Sequence, residues 1–235
     1  MDSQTRRALK QDKFVMATQT SAGWVGEHRS SVIRASIAVV VVLALVVVGV
    51  VVYTQRSDTA ESALGAALDV YSTPLVQPGV PPQQKSYATG AERAKAANAQ
   101  FVQVASNYGW LSAGAKAHYF AGLTYETLGQ TASAESELKA ASGAWDGNLS
   151  SLAKFALAGF YHQTSRDAQA IDLYNGLIAK PTDSVPLYTA QLALADLYSA
   201  AGKQEQAKAL WAKVKDEDKT GSAGSIAAEK LTAKK

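Results

Sequence analysis

The chain has 235 residues, with 23 Lys and Arg against 20 Asp and Glu, and it contains no Cys. That length suits one or two domains, and the lack of Cys excludes disulfide stapling, Cys-ligated zinc, iron–sulfur clusters and thiol catalysis. A net charge of +3 argues for nucleic acid only if it is concentrated on a binding surface. It is concentrated elsewhere. Arg6, Arg7, Lys10, Lys13, Arg29 and Arg34 against Asp2, Asp12 and Glu27 give residues 1–34 the whole +3, which leaves 54–235 neutral. Leu9, Phe14, Val15, Trp24 and Val25 are scattered among those charges. The segment reads either as an amphipathic helix on a membrane face or as a tail whose bases only set topology.

The basic segment leads into Ala35–Tyr53, 19 residues without a charge, of which ten are Val, two Leu and one Ile. As a helix this run is roughly 28 Å long, close to the ~30 Å hydrocarbon core of a bilayer. Its strongly apolar side chains favour insertion by roughly 4–8 kcal/mol. It is too long for an ordinary strand. Tyr53-Thr54-Gln55-Arg56 offers no small-x-small cleavage site, so the run is expected to be a retained single-pass anchor. Six bases precede it and only Arg56 follows closely, which predicts a cytoplasmic N-terminus and residues 54–235 on the far side.

The far-side part reads as all-α from its helical apolar period. Pro74, Pro78, Gly79, Pro81 and Pro82 mark a long loop over 72–89. Leu64, Leu68 and Tyr71 on one side, and Ala97, Phe101 and Val104 on the other, suggest a divergent hairpin over 58–107. A repeat of about 36 residues follows. Gly122, Tyr125, Gly129, Ala134 and Leu138 make the first copy, over about 113–145. Ala158, Tyr161, Ala170 and Tyr174 make the second, over 149–181; Ala195, Tyr198, Gly202, Ala207 and Trp211 make the third, over 186–217. Small residues are expected where paired helices cross, and Gly129 and Gly202 where the first helix of a pair ends in a left-handed turn, with Ser165 a poorer choice. Asp183 or Ser184, ahead of Pro186, would cap the start of the third copy. Ile226, Ala227 and Leu231 suit a capping helix over 222–233.

These copies resemble the tetratricopeptide repeat (TPR), which implies an α-solenoid of helical hairpins. The family's groove positions fall on Lys116, Tyr119, Leu123 and Glu126, then Leu152, Phe155 and His162, then Leu192 and Asp196. That mixture suits an extended or partly unfolded polypeptide, although Phe155 and Leu192 read equally well as core between repeats.

No catalytic set accompanies the repeats. HExxH and GxSxG are missing, and of the three His, His28 precedes the apolar run, leaving only His118 and His162 beyond it. Gly109–Lys116 (GWLSAGAK) mimics a phosphate-binding loop, but Ala115 stands where the Lys should be and no strand precedes it. Asp216-Glu217-Asp218 is flanked by Lys213, Lys215 and Lys219, a self-neutralising helix end rather than a calcium site. Neither enzyme activity nor a cofactor, metal, nucleotide or nucleic-acid partner is expected.

The layout of charged tail, single span and repeat domain resembles the YfgM-like ancillary subunits of the bacterial SecYEG translocon. The loop at 72–89 and the basic tail depart from that family's pattern. The resemblance implies an inner-membrane protein with a periplasmic repeat domain, an adaptor that meets translocon subunits, exported polypeptides and periplasmic chaperones. The alternative is a scaffold for a cell-envelope assembly or division complex.

Overall fold

A computed structural model describes residues 29–76, 79 and 86–232. The basic tail up to His28, with its candidate amphipathic helix, residues 77, 78 and 80–85 of the proline-rich stretch, and the last three residues lie outside them. Among the described residues the chain is all-helical, and it divides into a unit ending at Arg56 and a second beginning at Ser57.

The first helix, α1, runs Arg29–Ser72, 44 residues with no Pro and with Gly only at 49 and 65. It is long and apolar enough to cross a membrane. Every side chain from Ile33 to Tyr53 is exposed within the molecule, so no protein core takes up this surface. The valines lose χ1 freedom in a helix, but in lipid only a helix lets a single segment satisfy its own peptide groups.

The second unit takes the last turns of α1 and adds α2 (Gly90–Tyr108), α3 (Ser112–Thr127), α4 (Thr131–Ser142), α5 (Gly147–Gln163), α6 (Asp167–Ala179), α7 (Leu187–Ala200), α8 (Gln204–Glu217) and α9 (Ser222–Thr232). From α2 onward each helix packs on the next in chain order, with lesser contacts between α3 and α5 and between α7 and α9. Local signals set the starts. Glu92 N donates to the Thr89 side chain at α2, and Asn148 N and Leu149 N donate to Asp146 at α5. At α7 neither Asp183 nor Ser184 caps. Pro186 sits directly before the helix, needing no acceptor, while Val185 N donates to Thr182 Oγ1 at 3.2 Å.

Three turns share one hydrogen-bonding pattern. Gly129, Ser165 and Gly202 have φ of 70°, 59° and 75°. The residue after each, Gln130, Arg166 or Lys203, donates its N–H to the carbonyl of Tyr125, Tyr161 or Tyr198 at 2.8–2.9 Å. The turn residue itself donates to Glu126, His162 or Ser199. This is the Schellman arrangement, which ends a helix on a left-handed residue. Ser165 carries a Cβ that the left-handed region disfavours, so Ser165→Gly is expected to stabilise the unit by about 0.5–1 kcal/mol. Thermal unfolding of the two proteins checks this; an unchanged or lower Tm would contradict it.

Small residues let the helices close up. Ala134, Ala158, Ala170, Ala195 and Ala207 are fully buried. At Gly122 even a methyl would sit 2.6 Å from Leu138 Cγ. Three apolar clusters result. Ala60, Leu64 and Ala67 of α1 join Ala97, Phe101 and Ala117 of α2 and α3 in the first. Leu138, Leu157, Tyr174, Leu177 and Leu194 fill the largest, across α4 to α7. Ala195, Ala207, Trp211, Val214 and Ala227 close the C-terminal end. One buried polar bridge ties α2 to α3: Asn98 Nδ2 donates to Thr124 Oγ1 at 2.9 Å, and that hydroxyl donates to the Phe120 carbonyl.

Candidate functional site

The nine groove candidates lie on α3, α5 and α7, the first helices of their pairs. The structure brings four of them together. Tyr119, Leu123, Leu152 and Phe155 are half-buried and pack against the largest cluster. Phe155 meets Tyr174 of α6 edge-on, with ring centroids 5.5 Å apart, so much of its ring serves packing. Leu192 belongs instead to the C-terminal cluster.

Three of the polar candidates are engaged within the chain. Lys116 Nζ pairs with Glu61 Oε1 at 3.0 Å. His162 Nδ1 lies 2.7 Å from Asp167 Oδ1. Asp196 pairs with Lys230 of α9 at 3.0 Å. Burial pushes the Tyr119 hydroxyl above its ordinary pKa, and the nearby Tyr71 and Glu126 act in the same direction. Glu61 and Tyr71 both belong to α1, so the α3 part of the candidate surface is flanked by the protein's own helix. Glu126 is half-buried beside it.

The α7 part borders open space at Asp196. A cleft of about 750 Å³ is lined by Asp196, Ser199, Gln204, Lys208, Trp211 and Lys230, from α7, α8 and α9. A second, of about 560 Å³, lies among Ala66, Asp69, Thr73, Tyr87 and Gln100. Its rim includes Tyr87, which takes part in a bridge across the proline-rich connection, where Val76 N donates to the Tyr87 carbonyl at 2.9 Å and Tyr87 N to the Pro74 carbonyl. Gly109–Lys116, the phosphate-loop mimic, is the corner between α2 and α3. No group of three or more His, Asp and Glu able to hold a metal occurs among the described residues.

A polar network outside the candidate set joins two hairpins. Glu135 of α4 accepts from Lys139 Nζ at 2.7 Å, from Arg166 at 2.7 Å and from Tyr161 OH at 3.2 Å. The Arg166 guanidinium also lies 4.4 Å from the centre of the Tyr161 ring. The hydrogen bonds from Lys139 and then Arg166 hold the Glu135 carboxyl down at about 2, against an ordinary 4.5. The pairing therefore stabilises the fold fully above the ordinary carboxylate range and is lost as pH falls towards 2. Glu135→Gln is expected to cost about 1–2 kcal/mol near neutral pH, discounted for partial exposure. Urea unfolding across a pH series should show that deficit shrinking as pH falls below about 4.5. A deficit independent of pH would assign the loss to packing instead. The Glu135–Lys139 spacing is visible in the sequence as an i,i+4 pair, but Arg166, 31 residues away, gives no local signal.

No protein-family model matches the chain, and comparisons with curated proteins and with solved structures find no match.

Proposed function

We propose that this protein is a membrane-anchored, protein-binding adaptor of the bacterial Sec translocon, built as a TPR array on a single inner-membrane span. The observation that carries the reading is the threefold turn pattern at Gly129, Ser165 and Gly202, in phase with buried Ala134, Ala170 and Ala207. Repeated hairpins of this kind offer a continuous side surface and no enclosed reaction chamber. The exposed apolar stretch of α1 supports the anchor. The basic residues ahead of Ala35 support a cytoplasmic N-terminus and a periplasmic repeat domain. The YfgM-like layout supplies the partners: translocon subunits, exported polypeptides and a periplasmic chaperone. No catalytic or cofactor role is part of this reading.

Because Tyr119, Leu152 and Phe155 take part in packing, photocrosslinkers at His162 and Asp196 test the surface better than substitutions that strip the core. Adducts with exported chains or translocon subunits are expected there and not at the exposed positions Asp172 and Ala209 on the second helices. Equal yields at both pairs would reject the groove. Recovery of envelope-assembly proteins alone would replace the adaptor with a scaffold. Protease added to spheroplasts should digest the chain beyond about residue 54 and spare the tail; the reverse pattern would overturn the orientation.

A further inference from the structure

The cleft among α7, α8 and α9 has a buried donor in its wall. Trp211 of α8 is only 6 % exposed and lines the cleft, and its Nε1–H is buried with no hydrogen-bond partner among the described residues. A buried N–H without an acceptor is costly, and a buried Trp usually finds one. The one other such atom among the described residues, Gln191 Oε1, borders neither of the two clefts.

The repeat accounts for this placement. Tyr174 stands one repeat before Trp211, and Gly159 one repeat before Asp196. The Tyr174 hydroxyl lies over Gly159, 4.0 Å from where a Cβ would stand. Burial and then the Asp196 charge push that hydroxyl above its ordinary pKa, so the tip of the ring is also within electrostatic reach of α7. Trp211 takes the same position in the next hairpin, where the cleft brings it Asp196 of α7 and Lys230 of α9 as neighbours. Gln204, Lys208 and Trp211 follow one face of α8 at i, i+4 and i+7. Lys208 Nζ meets Glu205 at 3.4 Å, but the Glu205 side chain is 91 % exposed and water screens the pair. Lys230 Nζ lies 3.0 Å from Asp196 Oδ1 and 3.1 Å from Oδ2, which neutralises that carboxylate. The wall is left with one ammonium in excess, a buried donor, and apolar surface from Trp211 and Leu231.

We infer that this cleft binds a small organic acid, a carboxylate carried on a compact apolar body. One carboxylate oxygen accepts from Trp211 Nε1–H and the other from the Lys208 ammonium, while the apolar body lies against the Trp211 ring and Leu231. Nε1 is closed to water, so the acid reaches it as one of the long lysine side chains moves aside. A volume of about 750 Å³ is that of a small-molecule site. The ammonium and the indole N–H together select a carboxylate over its neutral amide. The inference goes beyond the adaptor reading and stands or falls without it.

The probe is isocaproate, titrated near neutral pH into the isotope-labelled full chain in detergent micelles, with isocaproamide as its neutral twin. The indole N–H resonance that disappears in Trp211→Phe is the reporter. Isocaproate is expected to shift it downfield and to saturate with a Kd of about 1 mM or tighter, while the amide leaves it in place. Calorimetry should show Lys208→Met and Trp211→Phe each weakening isocaproate about tenfold or more. Lys213→Met removes an equal charge from α8 outside the cleft and should leave the affinity unchanged. Asp196→Asn releases Lys230 towards the ligand and should tighten binding about threefold or more. If Trp211→Phe loses its helical circular dichroism, Lys208→Met and Asp196→Asn decide, because both side chains stand on the exposed rim. No saturating shift up to about 20 mM overturns the proposal, as does an equal response to acid and amide or an affinity that ignores both rim variants. Binding of acetyl-Ala-Ala-Leu with a free C-terminus, but not of isocaproate, would overturn the small-acid assignment and give the cleft to a polypeptide end.

Discussion

Phe101→Ala is expected to destabilise the helical unit by about 3–5 kcal/mol. Phe101 is completely buried and stacks on Phe120 with centroids 5.2 Å apart, while Tyr71 meets it edge-on at 5.9 Å. Those three rings join α1, α2 and α3, and the remaining contacts there are mostly Ala and Leu. Truncation leaves a void that alanine-rich helices have little side-chain length to fill, so the cost falls at the high end of the usual range. Against a total of about 5–15 kcal/mol for an ordinary domain, a large share of the stability is lost. The loss is also local: the last turns of α1 are held by Ala60, Leu64, Ala67 and Tyr71, all in this cluster. Hydrogen exchange should therefore rise first over 57–72, and urea unfolding monitored by circular dichroism should give the total. Phe101→Leu keeps most of the volume and should cost under about 1.5 kcal/mol. If both variants cost the same, the ring is not what joins the helices.

Gly114→Ala is expected to cost about 2–3 kcal/mol, although alanine is by itself the better helix former by about 1 kcal/mol. A Cβ at 114 would overlap the Tyr108 carbonyl and come within 2.7 Å of Gly109 Cα. Both are backbone, so relief requires the corner between α2 and α3 to open. Gly224 at the start of α9 meets the Asp218 carbonyl in the same way, so the tight corner occurs twice. Gly176 in α6 supplies the control, because a Cβ there meets nothing within 4 Å. Gly176→Ala should stabilise by about 0.5–1 kcal/mol. Chemical denaturation of the pair should thus give opposite signs; a stabilising Gly114→Ala would show that the corner relaxes freely.

The helical character of the chain is legible because each signal for it is local. The uncharged valine run, the proline cluster, the turn glycines and the spaced alanines all act within one or two helical turns of their own position. The junction is not legible: in the sequence the span ends at Tyr53 and a hairpin starts at 58, whereas one helix runs through Thr54, Gln55 and Arg56 to Ser72, with no Gly or Pro to break it before Gly65. What the sequence hides is the phase between helices. Lys116, His162 and Asp196 read as free groove polar groups, yet Glu61, Asp167 and Lys230 meet them. Two of those partners are 55 and 34 residues away, and long side chains find each other only once the helices are placed. Gly114 is the reverse case: its pattern suggests phosphate binding, whereas its lack of a side chain serves a close backbone approach.

The order of packing, each helix against its chain neighbours, also sets how the unit responds to traction. There is no keystone whose loss releases everything at once. A pull on the C-terminal end acts first on α9, which leans on α8 and slightly on α7. Load reaches α5 and α6 only after that end has given way. Under tension the unit would behave as a mechanical fuse, shedding hairpins stepwise from its free end while the helices beside Ser57 keep their shape.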